Sequence, residues 1–116
     1  MTLEEKQRID NYPIMAHRGN IHKFIEVNGE YRNKYCLVVS SELRAEDRLV
    51  NILFLSEHRS RISSVAVTMP DGSELYANAG LVTYCPRTCL GEYMTMASVE
   101  SMKKLDRKLR EELGIE

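Results

Sequence analysis

Apolar residues along the chain fall into short runs that alternate or run continuously up to about residue 97, and then recur every three or four positions to the C-terminal end. Thr2-Leu3-Glu4-Glu5 has a hydroxyl followed three residues on by a carboxylate, a capping-box pattern, so a short helix is expected to about Ile9, stopped by Pro13. Ile21 to Val27 reads as a first strand, and Asn28-Gly29 supplies the left-handed backbone of a tight turn. Tyr35 to Ser40 is apolar almost throughout, as in a strand covered on both faces. Residues 41–48 are rich in helix formers and predict a connector of one or two helical turns. Val50 to Leu55 is a third apolar run, expected centrally in the sheet beside the second strand.

Val65, Val67 and Met69 alternate with smaller or polar residues, Pro70-Asp71-Gly72 marks a turn, and Leu75-Tyr76-Ala77 begins a returning strand. Gly80 to Tyr84 adds another run, and Tyr93 to Met96 a short last strand. Ser98 then caps a helix whose stripe is Val99, Met102, Leu105, Leu109 and Leu113, ended by Gly114. Glu100 with Lys104 and Asp106 with Arg110 have i, i+4 spacing, worth only ~0.3–0.5 kcal/mol each. Burial of the stripe, at ~1.5–3 kcal/mol per side chain before ordering entropy, must therefore hold the helix in place. Runs of strands with helices at the ends, without strict alternation, indicate an antiparallel α+β domain.

At 116 residues the chain suits a single domain, 1–116, with residues 1–16 as an N-terminal helical extension. No apolar run approaches the ~20 residues of a membrane span, and the first residues lack the basic-then-apolar order of a signal peptide, so a cytoplasmic location and no membrane partner are expected. Three cysteines without Cys-x-x-Cys spacing read as reduced thiols. Cys85 and Cys89 with His58 are too loose a set for zinc, and small buried hydrophobes are the better reading. The net charge of −1 announces no nucleic-acid binder, so any nucleic-acid site must be local, built from cations in or beside the strands: Arg18, Lys23, Arg32, Lys34, Arg59, Arg61 and Arg87. Glycine-rich phosphate loops, His-Glu-x-x-His and Gly-x-Ser-x-Gly are all missing, which leaves nucleotide hydrolases, zinc proteases and α/β-hydrolases without support.

Arg18-Gly19-Asn20-Ile21 at the first strand, Ser56 closing the third run, and Leu90-Gly91-Glu92-Tyr93 followed by Ser98, Glu100 and Met102 occur in a telling order and spacing. Over residues 17–116 this resembles the PemK/MazF family of toxin endoribonucleases. The resemblance implies a small, partly barrel-like antiparallel sheet with a C-terminal amphipathic helix, a fold shared with CcdB toxins. It also implies metal-independent cleavage of single-stranded RNA through the 2′-hydroxyl, no cofactor, a homodimer with its RNA channel across two subunits, and inhibition by a cognate antitoxin peptide.

In that family the loop before the second strand carries an Arg for the scissile phosphate, and the end of the third strand a Thr or Ser. Those positions are Lys34, followed by Tyr35 where the family has Pro, and Ser56. Lysine keeps the charge and loses the planar two-pronged donor, though Arg32 is close enough in sequence to substitute. His58, flanked by Arg59 and Arg61, is the favoured proton carrier over His17 and His22, and Glu57 reads as a surface charge. The catalytic set is thus Lys34, Ser56 and His58, with Arg18, Arg32, Arg59, Arg61 and Arg87 as RNA contacts. The family's late Arg-Thr falls on Arg87-Thr88 or, counting back from the last helix, on Val82-Thr83-Tyr84. Tyrosines read as half-buried strand residues before base-stacking platforms. The rival readings are a catalytically degenerate module that binds RNA or protein on the same fold, favoured by Lys34 in place of Arg, and a CcdB-like topoisomerase-binding toxin.

Overall fold

The computed structural model describes residues 15–26, 31–41, 45–59 and 63–114, with residues 31–33 described by their backbone alone. The expected N-terminal helix, the Asn28-Gly29 turn and Arg61 lie outside these residues. Among the described residues seven strands, β1 Asn20–Ile25, β2 Tyr31–Val38, β3 Leu49–Ser56, β4 Ser64–Thr68, β5 Glu74–Asn78, β6 Thr83–Pro86 and β7 Leu90–Met96, precede one α-helix, α1 Val99–Leu113. The sheet runs β4-β5-β3-β2-β1-β7, and β6 also pairs with β3. All pairings are antiparallel.

Strand β3 is the hub, as its apolar run predicts. One edge pairs with β2, while the other is shared by β6 along Leu49 to Ile52 and β5 at Leu55 and Ser56. Register divides its side chains between two cores. Ile21, Leu37 and Leu53 are aligned across β1, β2 and β3 and fully buried, on the face that Leu105 of α1 covers. His22, Cys36 and Phe54 are aligned on the opposite face, where Phe24, Ile52, Cys85 and Leu90 belong to the second core. A strand with both faces covered is apolar at both parities, which is why Val50 to Leu55 reads as a continuous run.

Several boundaries differ from expectation for local reasons. β2 ends at Val38, because past it the Ser40 hydroxyl turns back to the backbone of Asn51. Residues 45–48 form turns and no helix. The buried Ala45 is tied down by the Ala16 N–H, which donates to its carbonyl at 2.9 Å. Gly80 and Leu81 leave the extended conformation in a 3-10 turn, Ala79–Leu81, because the Asn78 side chain accepts from the Gly80 N–H at 2.9 Å. The last strand begins at Leu90, three residues ahead of the expected start. Gly91 explains the Leu-Gly pair there: a Cβ at this position would lie 2.8 Å from the Lys23 carbonyl oxygen, so only glycine lets β7 approach β1.

Helix α1 starts where Ser98 accepts from the Ser101 N–H and ends at Gly114, whose φ of 69° suits a residue with no Cβ. Glu100 and Lys104 pair at 3.6 Å. Asp106, expected to pair with Arg110, instead meets the Arg18 guanidinium, which also donates to the Val39 carbonyl and so joins helix to sheet. Among the described residues no helix is long and apolar enough to cross a membrane.

Candidate active site

Lys34 and Ser56 converge through the β2–β3 register. Cys36 pairs with Phe54; Lys34 lies two residues before Cys36 and Ser56 two residues after Phe54, so all four side chains share a face, and both polar ones come to the same end of the strand pair. Lys34, expected in a loop, stands inside β2. It is exposed, with Nζ 5.1 Å from the centroid of the Phe54 ring. Ser56 is also exposed, and its backbone is fixed by pairing with Tyr76 of β5. The cation and the hydroxyl therefore both extend from strand residues, Lys34 from β2 and Ser56 from β3.

The Ser56 hydroxyl accepts from the His58 N–H at 3.1 Å, which bends the chain sharply after β3. One lone pair is used; the O–H remains able to donate. Glu57, His58 and Arg59 follow as exposed residues, so the site opens to solvent on the side where the basic loop begins.

The other candidates sit elsewhere. Arg18 is half-buried and bound to Val39 and Asp106, and Arg87 donates to the Ala45 carbonyl at 3.2 Å. Both guanidiniums thus serve contacts within the fold. The side chain of Arg32 and the whole of Arg61 fall outside the described residues. His22 is buried, with Nδ1 3.0 Å from the Gly91 carbonyl and its ring steeply inclined to that of Tyr93, and burial pushes its pKa below the usual imidazole value. A neutral imidazole enclosed in this way has no access to a substrate hydroxyl.

The three thiols lie inside the second core, and burial pushes those of Cys36 and Cys85 up to about 12 and that of Cys89 in the same direction. They are neutral, small hydrophobes at neutral pH. Among the described residues no group of three His, Cys, Asp or Glu converges as a metal site would require. Of the tyrosines, Tyr84 and Tyr93 are exposed, while Tyr35 and Tyr76 are half-buried.

One further residue, Phe54, belongs to this end of the sheet. Phe54 lies under Lys34, and its ring is nearly perpendicular to that of Phe24, with centroids 4.9 Å apart at 81°. The signal was available in the spacing, since Phe54 precedes Ser56 by one strand period.

No protein-family model matches the chain, and no curated protein matches it. Solved structures do. An endoribonuclease from a mycobacterial species superposes with a TM-score of 0.71 at 25% identity, over 85% of this chain and 91% of that one. A mycobacterial endoribonuclease in complex with its cognate antitoxin gives 0.70 at 23%, over 86% and 94%. MazF in a MazE-MazF complex from Deinococcus radiodurans gives 0.72 at 15%, over 88% and 98%. With its curled antiparallel sheet and C-terminal helix, the chain has a MazF-like fold, the fold that the spacing of Arg18-Gly19, Ser56 and Leu90-Gly91 implies by resemblance.

Proposed function

We propose that this protein is an endoribonuclease toxin that cleaves single-stranded RNA without a metal and is restrained by a cognate antitoxin. The observation that carries this reading is the exposed pair Lys34 and Ser56, held by strand register on one face and at one end of a MazF-like sheet. Cleavage through the 2′-hydroxyl suits such a pair. The 2′-oxygen attacks phosphorus, its proton leaves to a base, the bond to the 5′-oxygen breaks, and that oxygen takes up a proton. The products are a 2′,3′-cyclic phosphate and a 5′-hydroxyl. Charge grows on the non-bridging oxygens, where the Lys34 ammonium offers a counter-charge and the Ser56 hydroxyl a hydrogen bond. His58, in the turn that Ser56 accepts from, is the nearest imidazole along the chain for the proton steps.

RNA contacts then fall to the basic loop entered at Arg59 and to Arg32. A second copy of the chain supplies the rest of the groove. Leu81, Val82 and Tyr84 are 68%, 40% and 69% exposed beside β6, an apolar surface that a twofold partner would cover. Mature ends identify the chemistry. RNA incubated with the protein in excess EDTA is expected to carry 2′,3′-cyclic phosphates; cleavage that needs added magnesium, or none across a diverse pool, favours the binding-module reading, whose support is the lysine at position 34.

A further inference from the structure

We propose that Phe54 is a positioning residue for Lys34, holding the ammonium by a cation–π contact on the side of the sheet where Ser56 stands; this rests on the reading of Lys34 as the phosphate-binding cation. The Nζ–centroid distance of 5.1 Å lies within the ~6 Å over which a ring face attracts an ammonium. The ring itself is anchored. Phe24 packs against it with the two rings nearly perpendicular, and Cys36, its partner in the strand register, is fully buried.

Lysine brings a point charge on a flexible stem where the related position would carry a planar fork. A π face beneath the ammonium supplies the missing direction. It occupies one side of the group and leaves N–H donors on the other for non-bridging phosphate oxygens. Because Ser56 follows Phe54 by one strand period, the hydroxyl belongs to the same face of β3. The side-chain freedom of Lys34 is therefore reduced before RNA arrives, a form of preorganisation that acts on the rate more than on binding.

A double-mutant cycle with a mixed-sequence single-stranded RNA, read with enzyme in excess so that slow rates are measurable, tests this. Phe54→Leu should lower the limiting single-turnover rate about fivefold with the half-saturating enzyme concentration little changed, Phe54→Tyr should restore it, and Phe54→Leu should add nothing in a Lys34→Ala background. An equal loss in both backgrounds would make Phe54 merely structural and overturn the proposal. Proton NMR of the unmutated protein gives a second readout that needs no variant to fold: the Lys34 ε-methylene protons should lie upfield under the ring. Ordinary lysine shifts there would refute the contact. If Lys34→Ala cleaves at the wild-type rate although the unmutated protein shows the upfield shift, it is the catalytic reading of Lys34 that fails, and the positioning role falls with it.

Discussion

Arg18 and Asp106, 88 residues apart in sequence, bind side chain to side chain and thereby fasten helix α1 to the turn that leads into β1. The same guanidinium donates to the Val39 carbonyl, so Arg18 spans the ends of two strands and a helix. Arg18→Met should lower stability by about 1–2 kcal/mol, more through the carbonyl contact than through the partly exposed ion pair. Cleavage per folded molecule should be unchanged. A large loss of activity at full stability would return Arg18 to the RNA surface.

Gly91→Ala places a methyl group 2.8 Å from the Lys23 carbonyl oxygen and 3.0 Å from Ile25 Cγ1. Backbone cannot yield as a surface side chain can, so β7 must move away from β1. A loss of about 1–3 kcal/mol is expected in denaturant titration. A neutral result would show that the two strands have slack.

His22 provides a pH dependence whose sign is fixed by its burial. Its folded pKa is depressed, so the unfolded chain binds a proton that the native protein resists. The contribution to stability is complete above the unfolded value of about 6.5 and is lost as pH falls from there toward the folded pKa. Thermal midpoints measured from pH 7.5 to 5 should fall, and His22→Gln should fall less steeply. Equal slopes in the two proteins would contradict the assignment.

His58 is joined to Ser56 through its backbone N–H, so truncating its imidazole leaves the serine turn intact. His58→Ala should therefore preserve the thermal midpoint. If the imidazole transfers a proton, the pH–rate profile loses a limb and the rate falls by about 10²-fold. An unaltered profile would remove His58 from the chemistry.

What the sequence made legible follows from what patterns encode. The β3 run and the α1 stripe are periodic, and Ser98 and Gly114 are local signals, so these elements stand where the residues predict. Ser56 was recognisable as the residue closing β3. The turn at Gly80 depends on the side chain of Asn78, and the fate of Arg18 depends on a helix that arrives near the end of the chain. Charge and spacing alone made Arg18 and Arg87 look like RNA contacts; tertiary structure gives each a carbonyl to bind. The apolar run that begins at Tyr35 and the family resemblance both put Lys34 in the preceding loop, whereas β2 extends back to Tyr31. Strand parity pairs positions on a face, but only packing could reveal that the Lys34 ammonium rests on Phe54.

The proposed cleavage of RNA rests on Lys34 and Ser56, the exposed pair at one end of the sheet. Single-turnover rates on single-stranded RNA in EDTA, with thermal midpoints measured in parallel, test it most directly. Lys34→Ala and Ser56→Ala should each lower the rate by about 10²–10³-fold while leaving the midpoint near that of the unmutated protein, since both side chains are exposed. Unchanged rates in both variants would contradict the account.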